Sequence, residues 1–235
     1  MEAVLNIIKR KLINPLKYNH IKIGLRSKVR WYGNKYGGFY LNPDLLSDQS
    51  IIYSFGIGED ISFDQSLIEN RQCKVYGFDP TPKSIAWCMN QDLPANFHFY
   101  PFGISNKTGK EMFHLPKNKD HVSGSLVLQD NVSDKDMVEV EMQSFSDIVK
   151  MLKHERIDVL KMDIEGSEYN IITDILQSSV EIDQFAIELH ERFFDDGKDK
   201  TIQLVNDMKH NGYDLFAISD SYEEVSFVRR DALKN

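Results

Sequence analysis

Short apolar runs alternate with amphipathic segments along most of the chain, and this alternation constrains the fold more than any other feature. The runs predict strands at 51–55, 74–79, 97–102, 157–163 and 184–189. The segments between and after them predict helices at 61–71, 81–90, 144–154, 167–177 and 199–211. Strands that are joined by helices pair in parallel, so the pattern predicts an α/β protein with a mostly parallel, doubly wound sheet that helices cover on both faces.

Four further runs add to this sheet. Two closely spaced runs at 213–218 and 225–230 predict a C-terminal antiparallel hairpin, which brings the main sheet to seven strands. The runs at 111–115 and 137–142 predict additional or edge strands. An open sheet of this kind binds its ligand at the carboxyl ends of its strands, so the candidate site residues are sought there.

Composition and charge exclude several classes of protein. A hydrophobic content of 41% suits a globular protein, and no apolar run approaches the roughly 20 residues of a membrane span. The net charge of −8 divides into +8 over residues 1–40 and −16 over the rest, and so acidic a body should repel nucleic acid. Cys73 and Cys88 have neither a zinc-site nor a disulfide-framework spacing, so the expected location is the cytoplasm.

The basic N-terminal segment is predicted to be an extension, 1–45, ahead of a cofactor-binding domain, 46–235. Apolar residues at helical spacing within 4–12 predict a helix that Pro15 closes. A helix packed on the domain is favoured over one lying on a membrane surface, and both stay open. The aromatic and glycine-rich segment 28–43 predicts an ordered loop or short hairpin. The positive charge could hold an anionic acceptor, lipid headgroups or the protein's own acidic body.

A glycine turn follows the first strand of the predicted sheet. Gly56 and Gly58 allow the backbone to bend sharply and approach a ligand without an intervening Cβ. Asp79 ends the next strand 23 residues after Gly56, close to the offset at which an acid binds the hydroxyls of a ribose. The spacing therefore predicts a nucleoside cofactor.

The residues after this turn discriminate between nucleoside cofactors. The third glycine of a dinucleotide fingerprint is replaced by Ile61, and Glu59 and Asp60 open the helix where a pyrophosphate would need positive surroundings. Two carboxylates suit a ligand that carries an ammonium and a sulfonium. S-adenosylmethionine is thus predicted, in preference to NAD.

The sequence LKMDIEGSEYNII at 160–172 places three acids at a turn from strand to helix. Here the chain resembles the FkbM family of S-adenosylmethionine-dependent methyltransferases over roughly residues 50–218. The hallmark Lys-x-Asp-x-Glu-Gly-x-Glu of that family is matched at Lys161, Asp163, Glu165, Gly166 and Glu168. The segments 53–64 and 75–82 also resemble a branch of the family. Ser54 stands where many members carry an acid, so Glu59 or Asp60 is expected to contact the amino group of the cofactor.

The resemblance implies a Rossmann-like class I methyltransferase fold and methyl transfer, usually to a hydroxyl oxygen of a sugar, glycolipid or polyketide. We therefore expect an O-methyltransferase that acts on a carbohydrate or a similar polyhydroxylated metabolite. Two alternatives stay open: an NAD-dependent dehydrogenase or epimerase, and a catalytically inactive module that binds the cofactor and a partner. The oligomeric state is left open.

The catalytic residues are expected at the ends of the fourth and fifth strands of the sheet. His190 is the predicted general base, with Asp163 or Glu165 orienting it or the acceptor. A metal-free site is favoured. The alternative is a Mg²⁺ ion held by Asp163 with Glu188 or His190.

The predicted cofactor contacts come from four strand ends and one loop. Residues 102–105 follow the third strand, where an adenine is expected, and Ser125 belongs to an SGS segment similar to a serine-rich stretch of the family. The full predicted set is Phe55, Gly56, Gly58, Glu59, Asp60, Asp79, Pro80, Gly103, Ile104, Ser125 and Asp163.

Overall fold

The computed structural model describes residues 14–117, 124–126 and 132–234. The predicted N-terminal helix over residues 4–12 lies outside these ranges. The first described helix, α1 (Asn14–Lys17), contains Pro15, which was expected to follow a helix rather than lie in one. The first turn of a helix tolerates proline, because the missing N–H would have no partner there. None of the described helices has the length and apolar character that crossing a bilayer requires.

The described strands follow the predicted alternation closely. They are β1 (Arg30–Tyr32), β2 (Phe39–Leu41), β3 (Ile51–Phe55), β4 (Lys74–Phe78), β5 (Phe97–Tyr100), β6 (Gly103–Ser105), β7 (Gly109–Pro116), β8 (Val132–Ser144), β9 (Arg156–Met162), β10 (Glu181–Glu188), β11 (Tyr213–Ile218) and β12 (Glu224–Arg229). The α-helices after α1 are α2 (Ser62–Arg71), α3 (Pro82–Met89), α4 (Phe145–Leu152), α5 (Glu168–Leu176) and α6 (Gly197–His210).

Seven of these strands form one sheet in the order β11-β12-β10-β9-β3-β4-β5. The neighbours from β10 to β5 are parallel, whereas β12 is antiparallel to both β10 and β11. This confirms the predicted Rossmann-like sheet with its C-terminal hairpin. Since β3 lies between β4 and β9, the turns that follow these three strands meet at one edge of the sheet.

Helices cover both faces of the main sheet, as predicted. Alternate residues of a strand point to opposite faces, and β3 places Tyr53 and Phe55 in one apolar cluster and Ile52 in another. The first cluster contains buried residues of α4, α5 and α6, such as Ile148. The second contains residues of α2 and α3, such as Leu67. The core therefore consists of two layers, one on each side of β3 and β9.

The segment predicted as an ordered loop or short hairpin forms an antiparallel pair, β1 and β2. Tyr32, Phe39 and Leu41 are buried in the same apolar cluster as α2. The Ser226 hydroxyl of β12 donates a hydrogen bond of 2.6 Å to the Tyr40 carbonyl. The hairpin is thus packed into the core of the main sheet.

The predicted additional strands form a separate sheet. β7 and β8 are antiparallel, and β6 is parallel to β8. The strand expected over 97–102 ends at Tyr100, and a separate strand, β6, begins at Gly103. Pro101 has no N–H to contribute to a strand pairing, which accounts for the break. This division lets β6 turn away from the main sheet and pair with β8.

Candidate active site

A cleft of about 500 Å³ opens at the carboxyl ends of β3, β4 and β9. Ten of the predicted cofactor-binding residues line it: Phe55, Gly56, Gly58, Glu59, Asp60, Asp79, Pro80, Gly103, Ile104 and Asp163. The predicted catalytic residue Glu165 also lines the cleft. Ser125 is buried beside it, and its hydroxyl donates a hydrogen bond of 2.7 Å to the Glu165 carbonyl.

The glycine turn after β3 lies directly against the end of β9. Gly56 has a φ of +80°, and a Cβ on it would lie 1.7 Å from the carbonyl oxygen of Asp163. Lys161, which is buried, donates from its Nζ to the Gly56 carbonyl at 2.5 Å. Only glycine satisfies both the backbone conformation and the contact, so this residue brings the two halves of the cleft together.

Asp79 holds the same turn from the side of β4. Its Oδ2 accepts hydrogen bonds from the N–H groups of Ile57 at 2.9 Å and Gly58 at 2.8 Å. Its Oδ1 accepts from the N–H of Thr81 at 2.8 Å and from its hydroxyl at 2.5 Å. The carboxylate lines the cleft but is fully engaged in shaping the turn. Its contact with a ribose stays a prediction.

The lining of the cleft carries four carboxylates, those of Glu59, Asp60, Asp163 and Glu165. No lysine or arginine is among the described lining residues, and two lysines lie just outside it, Lys83 at 3.7 Å from Glu59 and Lys161 at 3.7 Å from Asp163. Asp60 accepts hydrogen bonds from the Ser62 N–H at 2.8 Å and from Asn34, in the turn of the N-terminal hairpin, at 2.6 Å. Such a surface favours a cationic ligand over an anionic one.

The lining of the cleft also carries apolar side chains. Ile104 of β6, Phe113 of β7 and Met142 of β8 come from the three-stranded sheet, and Leu126 comes from the described segment 124–126. Sequence reasoning identified Ile104 but missed the other three. They carry no chemical signal in the sequence, and only the folding of β7 and β8 over the cleft brings them there.

The predicted catalytic residues meet around the ring of His190, which is fully buried just beyond β10. Its backbone N–H and its Nδ1 both contact Oε1 of Glu168, at 3.1 and 3.0 Å. Its Nε2 lies 3.8 Å from Asp163 Oδ1, 3.5 Å from Glu165 Oε2 and 3.5 Å from Glu188 Oε1. This nitrogen has no hydrogen-bond partner in the described part of the chain.

The surroundings of His190 change the pKa of its imidazole ring. Burial by itself lowers the pKa of the imidazole, but the carboxylates of Glu168, Glu188 and Asp163 raise this pKa to about 10. Burial and the neighbouring Asp163 raise the pKa of Glu188. His190 does not line the cleft, whereas Asp163 and Glu165, which lie close to its Nε2 together with Glu188, do line it.

The turn after β9 has an unusual backbone. Glu165 has a φ of +55° and Gly166 a φ of +98°. The left-handed conformation of a non-glycine residue costs about 1–2 kcal/mol. The Gly166 N–H donates to Glu168 Oε2 at 3.0 Å, which helps to hold the turn. Glu168 of α5 thus holds both His190 and the turn that carries Glu165 in place.

Two positioning residues were not among the predicted site residues. Lys161 holds the glycine turn, and Glu168 holds His190 and the turn at Gly166. Both belong to the hallmark at 160–172. The signal for them was therefore present, but their roles depend on contacts with β3 and β10 that the motif does not specify.

The sequence over residues 50–215 matches the model of the Methyltransferase FkbM domain. The chain belongs to the FkbM methyltransferase family. This confirms the predicted family, and with it a methyltransferase of the kind that depends on S-adenosylmethionine. The FkbM match covers the strands, turns and helices that form the cleft.

Individual relatives of this FkbM chain are distant. It is 23% identical over 207 residues to the human "Probable methyltransferase-like protein 24", across 82% of this chain and 49% of that protein. The chain thus spans about half the length of this curated relative. One similar solved structure is the N-terminal domain of human METTL16 in complex with SAH (TM-score 0.43, 10% identity, 76% of this chain and 60% of that one). Another is Aeropyrum pernix fibrillarin with natively bound S-adenosyl-L-methionine (TM-score 0.43, 10% identity, 87% and 84%).

Proposed function

We propose that this FkbM-family chain transfers a methyl group from S-adenosylmethionine to a hydroxyl oxygen of a carbohydrate or a similar polyhydroxylated acceptor. The observation that carries the proposal is a single cleft at the glycine turn whose lining combines apolar side chains with four carboxylates. The cofactor has a flat apolar adenine at one end and an ammonium and a sulfonium at the other. Its shape and charge therefore fit this cleft.

The described residues divide between the parts of the cofactor. Ile104, Phe113 and Met142 form the apolar surface that suits the adenine. Glu59 and Asp60 are the acids that suit the ammonium group. Ser54 is fully buried in β3 and carries no carboxylate, which supports assigning the ammonium group to the acids after the turn.

Asp163 and Glu165 are assigned to the acceptor. When bound, S-adenosylmethionine supplies a methyl group on a positively charged sulfur. Direct displacement requires the acceptor oxygen to be aligned with that methyl group, so the residues that position the hydroxyl contribute most of the acceleration. The two carboxylates face the cleft, where they can orient the hydroxyl and take its proton. His190, behind them, holds their positions.

The two alternative functions have less support. A dehydrogenase or epimerase must bind the pyrophosphate of NAD, and the acids that line the cleft would repel it. An inactive binding module would have no use for a buried histidine surrounded by four carboxylates. We therefore retain the methyltransferase as active.

We further propose a cytoplasmic location and a contribution of the basic N-terminal segment to binding an anionic acceptor or a membrane surface. One of its residues already contacts the rest of the protein, since Arg30 donates to Asn70 at 2.5 Å, whereas the pair of Lys28 and Asp44 at 2.6 Å lies within the segment. The Arg30 contact supports the third interpretation as well, in which part of the charge serves to hold the segment on the domain.

The proposal is tested by titrating purified protein with S-adenosylhomocysteine and by measuring methyl transfer to a panel of polyhydroxylated acceptors. We expect micromolar binding, and we expect Glu165→Gln to keep this binding within a few-fold while it lowers methyl transfer about 100-fold or more. The matched control is Glu141→Gln, which removes an exposed carboxylate from β8 and should leave both measurements unchanged. Binding of NADH without binding of S-adenosylhomocysteine would refute the proposal.

A further inference from the structure

We propose that Asp163, Glu165 and His190 form a binding site for one divalent transition-metal cation. One ligand atom of each of these three residues lies within 4.8 Å of the other two. The sequence favours a metal-free site, and its alternative combines Asp163 with Glu188 or His190. The structure instead groups Asp163 and Glu165 with the histidine, and two observations on the ring point to a cation.

The first observation is the buried Nε2 atom of His190. The side chain is 1% exposed, and this nitrogen has no hydrogen-bond partner among the residues that the structure describes. A buried polar atom of this kind is costly unless a ligand satisfies it. The three carboxylate oxygens of Asp163, Glu165 and Glu188 surround it at 3.5–3.8 Å, which is too long for hydrogen bonds. Two ligands that are each about 2.1 Å from one ion lie roughly 3–4 Å apart.

The second observation is the contact on the opposite side of the ring. Glu168 Oε1 lies 3.0 Å from Nδ1 and also accepts the His190 backbone N–H. A carboxylate is an acceptor, so Nδ1 keeps its proton, and a cation that binds Nε2 takes the place of the proton that this nitrogen carries in the charged ring. Histidines that bind metals are commonly oriented by a carboxylate in this way.

The donor set indicates which cation would bind. One imidazole nitrogen with two carboxylate oxygens suits Mn²⁺ or a similar transition metal, whereas Mg²⁺ prefers oxygen ligands throughout. The side chains of Asp163 and Glu165 are 29% and 17% exposed on the side of the cleft. The cation would therefore keep coordination positions open toward the cleft. Glu188 lies close enough to complete the set.

One consequence rests on the proposed function. A cation at this point would bind oxygen atoms of the acceptor and lower the pKa of the hydroxyl that is methylated. Acceptors with two neighbouring hydroxyls would then be preferred, because both oxygens can bind one cation. Binding of the cation itself requires neither the cofactor nor the acceptor and can be measured separately.

The test uses the full chain after treatment with a chelator. We expect one Mn²⁺ per chain by calorimetry, together with loss of the free Mn²⁺ signal in electron paramagnetic resonance. Glu165→Gln should weaken this binding at least tenfold, and Glu141→Gln, which removes an exposed carboxylate elsewhere, should leave it within twofold. His190→Gln should also weaken it, and Glu165→Gln serves if that buried substitution prevents folding.

Two outcomes would overturn the site: no saturable binding of Mn²⁺ by the wild-type chain, or equal binding by the wild-type chain and Glu165→Gln. Titration of the same samples with S-adenosylhomocysteine separates the two proposals. Binding of S-adenosylhomocysteine without Mn²⁺ would leave the proposed methyltransferase intact and remove only the cation site. Binding of Mn²⁺ without binding of S-adenosylhomocysteine would support the cation site and contradict the proposed methyltransferase.

Discussion

Asp79 and Asp163 follow the two strands that flank β3, and both line the same cleft, yet the fold uses them differently. The carboxylate of Asp79 accepts four hydrogen bonds, all from residues of the turns that it holds, so its role is to shape the site. The described contacts of the Asp163 carboxylate are ion-pair distances of 3.7 Å to Lys161 and 3.8 Å to His190. Equivalent strand ends can thus carry one acid that shapes a site and another that stays available to a ligand.

The largest effect is expected at Gly56, where the turn after β3 touches the end of β9. Gly56→Ala would place a Cβ 1.7 Å from the Asp163 carbonyl at a φ of +80°, so either β3 or β9 must move. We expect the free energy of unfolding to fall by about 3–5 kcal/mol in urea denaturation. Gly58→Ala is the matched control, since its φ is +57° but its Cβ would meet no atom within 4 Å. Its cost should be about 1–2 kcal/mol. Equal losses in the two variants would contradict the contact.

A third acid, Asp64 of α2, is buried, and its Oδ1 has no hydrogen-bond partner among the described residues. Burial raises its pKa to about 6, with Asp60 adding to the shift and Lys161 opposing it. The folded state therefore holds a proton that the unfolded state releases between about pH 4 and 6, and stability is lost as the pH rises through this range.

Asp64→Asn removes this titration. Relative to the wild type, the variant should gain about 2 kcal/mol of unfolding free energy between pH 4.5 and pH 8, measured by urea denaturation at both values. Parallel stability curves for the two proteins would show that Asp64 is satisfied after all.

The smallest effect is expected at Asp79. In Asp79→Asn, one carboxylate oxygen becomes an NH₂ group, which cannot accept a hydrogen bond. Either the bonds from Ile57 and Gly58 or those from Thr81 are lost, so the glycine turn should shift. We expect S-adenosylhomocysteine to bind about tenfold more weakly, which is 1.4 kcal/mol. Thr81→Val removes only the hydroxyl donor and should cost less than threefold. Unchanged affinity in Asp79→Asn would show that the glycine turn binds the cofactor without this carboxylate.

The main sheet was predictable from the sequence because its order follows from local patterns. Buried parallel strands appear as apolar runs, and the helices between them restrict how the strands pair. The glycine turn at Gly56 and the acids Asp163 and Glu165 were predictable for the same reason, since each comes directly after such a run. The break at Pro101 and the separate sheet of β7 and β8 were not predictable, because the pattern indicates where strands lie but not which strands pair.

The sequence by itself determined the FkbM family, the Rossmann-like sheet and the strand ends at which the cleft forms. Only the tertiary structure decided that the Asp79 carboxylate accepts hydrogen bonds from the turns, and that Lys161 and Glu168 hold the turns around the cleft. It also decided that Nε2 of His190 lies among carboxylates without a hydrogen-bond partner in the described part of the chain. The physical reason is range. Hydrophobic period and turn chemistry act between neighbours in the chain, whereas the state of a buried polar atom depends on distances to residues that are far away in sequence.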